Sequence, residues 1–345
     1  MHPGMALKLH EFLRAPNKNG DVGIELEYEG LNLPIQVTGW EVKHDGTLRG
    51  QDGMPVIGDD RADMPREYVT QRPVLVSSVA AKLRTLIQAL TTAPSEVRLT
   101  PRAGTHIHVN MGNQTLRTFL GFVLLYLTVE PVFLRVYGGA ERNGNSFCMP
   151  GYETGAWPNV INRVVQYLLR PYDYTWPTTG KYSALNIDPL LPLGSVEVRC
   201  FPNSINPVEI MQWVQSLMSI RQIAQSASDD FSTILNWIHT SPNEYLDAVF
   251  PDVNLARACA PVTPFDLLQY GQEEAYEVWR SMLPLFRPAA AKARAPRHKP
   301  HQFNEDDIQE APGIEPLQPV PRPPDWGQIE PLQPEAAVNV VRRQG

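Results

Sequence analysis

Acidic and imidazole side chains alternate with apolar ones in three short segments of the chain, residues 22–28, 105–111 and 195–200. Successive side chains of a β-strand point to opposite faces, so each segment would place its polar residues on one face. The residues of that face are Glu25, Glu27, His106, His108, Asn110, Glu197 and Arg199. If the three strands join one sheet, carboxylates, imidazoles and a guanidinium meet on one surface.

This combination of side chains indicates a metal centre. Glu25 and Glu27 would repel one another on one face unless a cation lay between them. Carboxylates with one or two imidazoles and no thiolate suit Mg²⁺ or Mn²⁺. A zinc or iron site built from His106, His108 and a glutamate is an alternative. For each segment alone, the alternative is a half-buried strand whose polar face meets water.

Three other acidic residues lie near this pattern. An extended stretch, residues 42–47, runs into a turn that carries Asp45, and residues 66–70 offer Glu67 as a further carboxylate. Taken alone, Asp45 is explained by the turn and Glu67 by a surface position. Glu29 continues the acidic series of the first segment, and a surface position would explain it.

The elements that must position these residues are strands up to about residue 110 and mainly helices afterwards. Periodicity predicts helices over residues 79–90, 116–136 and 160–169. Asn206-Pro207, Ser241-Pro242 and Thr263-Pro264 are each followed by an acid at the third helical position, which predicts three more helix starts. Without a regular βαβ rhythm, this order predicts an α+β domain with a largely antiparallel sheet, over residues 1–287.

Composition narrows the class of protein. The formal charge is −7, from 30 basic and 37 acidic residues, which argues against general binding of nucleic acid or membrane surfaces. The 3 cysteines are too few and too scattered for a disulfide framework, so buried reduced thiols and a cytoplasmic location are expected. No basic segment followed by an apolar run opens the sequence. The apolar run 120–129 predicts a buried helix.

Residues 288–345 are rich in proline and contain the hexapeptide IEPLQP twice. Such a segment buries too little apolar surface to offset the entropy lost on ordering, which predicts a disordered tail. The repeat is either a docking peptide for a protein partner or part of a solvated tail without one.

Taken in order, these segments resemble the putative amidoligase family, within the glutamine synthetase and glutamate–cysteine ligase superfamily. The resemblance spans residues 20–205, and its specificity comes from several weak motifs in one order. The matching stretches are 23–27, 44–47 with Glu67 and Pro73, 104–110, Arg142-Asn143 with Phe147-Cys148, 181–186 and 196–199. Thr47 stands where relatives often have serine.

The resemblance implies an antiparallel sheet curved into a half-barrel, with ATP and Mg²⁺ or Mn²⁺ on its concave face. The metal ligands that it implies are Glu25, Glu27, Glu67, His106 and Glu197, with Asp45 as a further candidate. It also implies that His108 approaches the nucleotide phosphates and that Arg199 holds the transferred phosphate. Lys181 would contact the nucleotide, and Arg142 and Tyr182 would bind substrate.

The activity implied by the resemblance is ATP-dependent joining of a carboxylate to an amine through an acyl phosphate, in a bacterial or phage setting. Metal ions and arginine stabilise the charge of the transferred phosphoryl group, so no nucleophilic side chain is needed. Three alternatives remain open. They are phosphorylation of a guanidino group, a non-catalytic relative that binds a nucleotide or metabolite and presents the tail to a partner, and a nucleotide-independent metal enzyme using His106, His108 and Glu197.

Overall fold

A computed structural model describes residues 3–50, 52–56, 62–92, 94–142, 144–170, 173–180, 182–226 and 231–286. The predicted disordered tail, residues 288–345, lies outside the described residues, as does Lys181.

The strands of the described residues form one seven-stranded sheet with the order β2-β3-β1-β5-β7-β6, and β4 pairs with β1 off this path. Every strand pair is antiparallel. The three alternating segments are the adjacent strands β1, β5 and β7, which confirms the prediction of an α+β fold with an antiparallel sheet. The strands are β1 Val22–Leu31, β2 Trp40–Lys43, β3 Arg66–Thr70, β4 Glu96–Arg98, β5 Gly104–Asn110, β6 Leu185–Asn186 and β7 Ser195–Pro202.

Helices back the sheet and make up most of the chain after β5. A 3₁₀ turn, Pro3–Ala6, precedes α1, and a π-helical segment, Leu134–Gly138, follows α3. The α-helices in the described residues are α1 Leu9–Leu13, α2 Val76–Thr91, α3 Leu116–Phe133, α4 Gly139–Arg142, α5 Gly151–Thr154, α6 Trp157–Leu169, α7 Leu190–Leu193, α8 Pro207–Ser226, α9 Phe231–Thr240, α10 Pro242–Val249, α11 Leu255–Cys259 and α12 Pro264–Phe286.

The helix predictions are confirmed, with one difference at the end of α3. The sequence predicts a helix to residue 136, whereas the α-helix ends at Phe133 and continues as π-helix. Pro131 lies inside the last turn of α3 and has no backbone N–H, so the regular hydrogen-bond ladder breaks there. The three predicted proline starts are confirmed at the first residues of α8, α10 and α12.

The core lies between the apolar face of the sheet and the helices. Val22, Ile24, Leu26 and Tyr28 of β1 are fully buried, as the alternation predicts. The stretch Leu116–Gly138 is long and apolar enough to cross a membrane, but 89% of its most apolar window is buried within the fold, as in the core helix of a soluble protein. All three cysteines are buried and free, which confirms that prediction. Because helices cover one face of the sheet, the polar face is left for the site.

Candidate active site

The register of the three central strands brings the predicted polar residues together. Between β1 and β5, Glu25 is paired with His106 and Gly23 with His108. Between β5 and β7, His108 is paired with Glu197. The ladder is irregular between Thr105 and Ile107, where β7 carries an extra residue, and Arg199 lies in this bulge. A bulge redirects side chains locally, which brings Arg199 to the edge of the cluster.

His106 lies at the centre of an acidic cluster. Its Nδ1 lies 2.6 Å from Glu25 Oε1 and 3.4 Å from Glu197 Oε1. Its Nε2 lies 3.9 Å from Glu27 Oε2. Ligand atoms of Glu25, His106 and Glu197 lie within 4.8 Å of one another, a spacing that could hold a metal ion. These residues come from three different strands, so the cluster exists only when the sheet has formed.

Two neighbours fix the carboxylate of Glu197. The Nδ2 of Asn186, on the edge strand β6, donates to Glu197 Oε2 at 2.7 Å. The Nη1 of Arg199 donates to Glu197 Oε1 at 2.5 Å. Asn186 and Glu197 are both buried, so each oxygen of this carboxylate has a defined partner away from bulk water.

The pKa shifts indicate that the cluster carries more acid than its own cations balance. Burial raises the pKa of Glu27, and burial with repulsion from Glu25 and Glu27 raises the pKa of Glu67 to about 8. Burial alone would raise the pKa of Glu25, but the charges and hydrogen bonds of His106 and His108 hold it well below its usual value. Burial alone would lower the pKa of His106, but the neighbouring glutamates raise it.

A pocket of about 150 Å³ opens beside the cluster. Its walls combine carboxylates, guanidinium groups and two aromatic rings, so charged and planar ligand groups both find partners. The lining residues are Glu25, Glu27, Asp45, Thr47, Arg102, His106, Arg142, Phe147, Tyr182 and Arg199. A larger, more open depression of about 470 Å³, near the end of α2, is lined by uncharged residues and offers no acid–base chemistry.

Three of the predicted residues lie beside the pocket without lining it: Glu197 of the cluster, Glu67 and His108. Glu67 faces Glu27 across the β1–β3 pair. His108 places Nε2 3.7 Å from Glu25 Oε2 and Nδ1 3.2 Å from Ser195 Oγ. Glu67 and His108 therefore border the cluster through Glu25 or Glu27.

Arg142 contacts the protein's own backbone at the base of the pocket. It is 1% exposed, and it donates from Nε to Phe201 O at 3.0 Å and from Nη2 to Ala103 O at 2.8 Å. A side chain at Gly104 would collide with this guanidinium, since an added Cβ would lie 1.9 Å from Nη2. Arg142 thus joins β7 to the loop before β5, in addition to lining the pocket.

Asp45 and Tyr182 lie on the loops around the pocket. Asp45 Oδ1 accepts hydrogen bonds from the backbone N of Thr47 at 2.6 Å and from its Oγ1 at 2.7 Å, which stabilises the turn that the sequence predicts. The ring of Tyr182 packs edge-to-face against Phe147, with centroids 5.5 Å apart. The sequence-predicted site residues that are described therefore all lie in or next to one pocket.

Sequence reasoning missed the roles of Glu29, Arg102 and Asn186. A surface position for Glu29 is wrong: the residue is 2% exposed, and its Oε1 accepts a hydrogen bond from the backbone N of Arg49 at 2.8 Å. Its carboxylate contacts residues of two loops, the backbone N of Arg49 and the Nε of Arg102, which lies 3.5 Å away. Its place two residues after Glu27, on the same face of the strand, was an available signal. Arg102 had none, because it lies in a loop.

Comparisons with known proteins bear on this site. A family model described as "putative amidoligase enzyme" matches residues 34–221, more than half of the chain. The matched stretch contains Glu67, His106 and Glu197, and it begins after Glu25 and Glu27. No curated protein matches the chain.

Among solved structures, a bifunctional glutathione synthetase from Pasteurella multocida is similar at 11% sequence identity and a TM-score of 0.29. The alignment covers 81% of this chain and 54% of that one. The chain thus spans about half the length of that synthetase.

Proposed function

The chain belongs to the putative amidoligase enzyme family, and on that premise we propose that it is an ATP-dependent ligase that joins a carboxylate to an amine. The observation that carries this proposal is the meeting of Glu25, His106 and Glu197 from three strands, with Arg199 bonded to Glu197 at the edge of the cluster. Phosphoryl transfer needs groups that stabilise negative charge rather than a nucleophilic side chain. A cation held by this cluster, together with Arg199, would supply such groups.

The donor set fits a hard divalent cation. Two carboxylates and one imidazole are oxygen-rich and contain no thiolate, which suits Mg²⁺ or Mn²⁺. Glu27 and Glu67 add carboxylates whose pKa values are raised by burial and like charge, so a cation would relieve their repulsion. Glu25, His106 and Glu197 would hold the ion, with Glu27, Glu67 and Asp45 nearby. When bound, such an ion neutralises phosphate charge and polarises the phosphoryl group.

The protein's own residues would act by placing and stabilising the reacting groups. In the proposed reaction a carboxylate oxygen attacks the γ-phosphorus of ATP and ADP leaves. The amine then attacks the carbonyl carbon of the acyl phosphate, phosphate leaves, and the nitrogen loses a proton to solvent as the amide forms. Arg199 would stabilise charge on the transferred phosphoryl oxygens, since Glu197 fixes the direction of its guanidinium. His108 lies beside Glu25, near enough to the cluster to approach a nucleotide phosphate.

The size of the pocket supports a role in holding the reacting groups rather than the whole nucleotide. Small-molecule pockets typically measure roughly 300–1,000 Å³, whereas this one measures about 150 Å³. It would enclose the carboxylate and the γ-phosphate, while the rest of the nucleotide would lie outside it. Tyr182 and Phe147 would contact the organic part of a substrate through their rings.

Two other functions remain candidates. A nucleotide-independent metal enzyme is favoured by the ligand cluster itself, whose grouping does not require ATP. For that enzyme the sequence predicts His106, His108 and Glu197 as ligands. In the described residues the grouped ligands are Glu25, His106 and Glu197, so Glu25 replaces His108. A non-catalytic relative that presents the proline-rich tail to a protein partner is the other candidate.

A cytoplasmic location belongs to the proposal and is in keeping with three buried free thiols.

The melting temperature of the full chain tests the proposal without knowledge of the acceptor. A ligand at about 100 times its dissociation constant stabilises a protein by roughly 2.7 kcal/mol, which raises the midpoint by a few degrees. We expect a rise with Mg-ATP that needs Mg²⁺ and is lost in Glu197→Gln. Glu277→Gln, an exposed change on α12, is the matched control and should keep the rise.

The outcome of this measurement separates the candidates. An Mg²⁺-dependent rise justifies a screen of carboxylates and amines by phosphate release. If the melting midpoint of the wild-type protein does not rise at saturating Mg-ATP, the proposal of an ATP-dependent ligase is refuted. A rise with Mn²⁺ or Zn²⁺ alone, without any effect of ATP, favours the nucleotide-independent metal enzyme instead.

A further inference from the structure

Arg102 is the most exposed of the pocket's cationic side chains. It lies in the loop between β4 and β5, and 44% of its side chain is exposed. The other guanidinium groups of the lining are more deeply placed, with 14% exposure for the Arg199 side chain and 1% for Arg142. An anion that enters the pocket from solvent therefore meets Arg102 first.

Both neighbours of Arg102 in the chain are tethered. Asn145 Nδ2 donates to the carbonyl of Pro101 at 2.8 Å, and Arg142 Nη2 donates to the carbonyl of Ala103 at 2.8 Å. These two bonds hold the loop at either side of Arg102. The backbone of Arg102 is therefore held in position through both of its neighbours in the chain.

The side chain of Arg102 is directed by Glu29. Its Nε lies 3.5 Å from Glu29 Oε1. Within the described part of the chain, no other polar group contacts this guanidinium. Glu29 is buried and also accepts the backbone N–H of Arg49, so its carboxylate is itself fixed. A guanidinium held through Nε keeps its two terminal nitrogens as a planar fork.

We propose that Arg102 is an oxyanion-binding residue at the mouth of the pocket and that Glu29 is the residue that positions it. The ligand class is a group with two equivalent oxygens, a carboxylate or a phosphate, which a guanidinium fork binds through two parallel hydrogen bonds. The lining also includes Glu27 and Asp45, which repel such a group, so Arg102 favours the entry of an anion at its own position. This inference rests on the proposed function.

The two possible sources of the oxyanion are the nucleotide and the acid substrate. Calorimetric titration of the full chain with Mg-ATP, inorganic phosphate and L-glutamate distinguishes them. The variants are Arg102→Ala, Arg102→Lys and, as a matched control for one lost positive charge, Arg163→Ala on the exposed face of α6. Equal melting midpoints of Arg102→Ala and the wild type show that the fold is retained.

We expect Arg102→Ala to lose about 10- to 100-fold in affinity for at least one probe, as the loss of a charge-assisted hydrogen bond implies. Arg102→Lys should recover part of the loss, because it keeps the charge without the fork. Arg163→Ala should match the wild type. A loss confined to Mg-ATP assigns the subsite to the nucleotide, and a loss confined to L-glutamate assigns it to the acid substrate.

Failure of this inference and failure of the ligase give different results. If the wild-type protein binds ATP in the presence of Mg²⁺ while Arg102→Ala keeps its affinity for every probe, the role of Arg102 is refuted. That result is still consistent with the ligase. If phosphate or L-glutamate binds in a way that depends on Arg102 but Mg-ATP does not bind, the oxyanion subsite is supported and the ligase is refuted. A wild-type protein that binds none of the three probes overturns both.

Discussion

Replacement of Asn186 tests whether the geometry of Glu197 controls the metal site. Asn186 Nδ2 donates to Glu197 Oε2 at 2.7 Å, and both side chains are buried. Loss of a hydrogen bond to a buried charged group costs about 1.5–3 kcal/mol. If that cost falls on the metal-bound state, it corresponds to roughly 10- to 150-fold in affinity. The expected result for Asn186→Ala is a weakening of Mn²⁺ binding within that range.

The variant Asn186→Asp separates this effect from damage to the segments on either side of β6. Asn186 Oδ1 accepts hydrogen bonds from Thr179 Oγ1 at 3.0 Å and from the backbone N of Asp188 at 2.9 Å. Aspartate keeps both of these acceptor bonds and changes only the donor that faces Glu197. The new aspartate places a second carboxylate next to Glu197. The melting midpoint and the metal affinity of this variant therefore report like-charge repulsion rather than the loss of the bonds from Thr179 and Asp188.

Titration of the full chain with Mn²⁺, followed by electron paramagnetic resonance of the free ion, measures the affinity directly. Wild type, Asn186→Ala and Asn186→Asp are compared under one buffer condition, with the melting midpoint of each variant as a check on folding. Folded variants that bind Mn²⁺ as tightly as the wild type would refute the reasoning, because Glu197 would then not depend on Asn186 for its position or would not be a ligand.

Three further predictions concern the scaffold. Glu130 is fully buried and its pKa is raised to about 8 by burial. The folded state therefore holds this proton at pH values where the unfolded chain has released it, and stability falls as pH rises from about 4.5 to 8. Glu130→Gln should remove up to about 1.4 kcal/mol per pH unit from that slope, measured by urea unfolding at several pH values. An unchanged slope would contradict the assignment. Gly271→Ala should destabilise the protein by at least about 1–3 kcal/mol, since the added Cβ would lie 2.1 Å from a carbonyl oxygen of α3. Gly46→Ala, with nothing within 4 Å of its Cβ, is the control, and equal losses in the two variants would refute the packing argument. Gly104→Ala should displace Arg142 and lower the melting midpoint, and a midpoint equal to that of the wild type would show that this guanidinium moves aside without cost.

The local pattern of the sequence predicted which side chains share a face. Period-two alternation placed Glu25 and Glu27 together, and His106 with His108, because each strand alternates independently of its neighbours. Helix starts at prolines were equally local, and α8, α10 and α12 begin where they were expected. The order of six weak motifs then indicated the family, to which the chain belongs.

The sequence did not determine which faces meet or in what register. The pairing of Glu25 with His106 spans 81 positions of chain, and alternation within a strand says nothing about its partner. The bulge that brings Arg199 to the cluster is also a property of the ladder between β5 and β7. These features depend on long-range packing of the sheet against its helices.

The sequence by itself therefore determined the chemical character of the polar face and the positions of most helices. Tertiary structure decided that Glu29 is buried, that Arg142 is bonded to backbone carbonyls and that Arg102 reaches the pocket. The physical reason is that exposure and hydrogen-bond partners depend on what packs over a residue. Glu29 contacts Arg49 and Arg102, which lie in loops distant in sequence, so the alternation in β1 indicates the face of Glu29 but not how deeply it is buried.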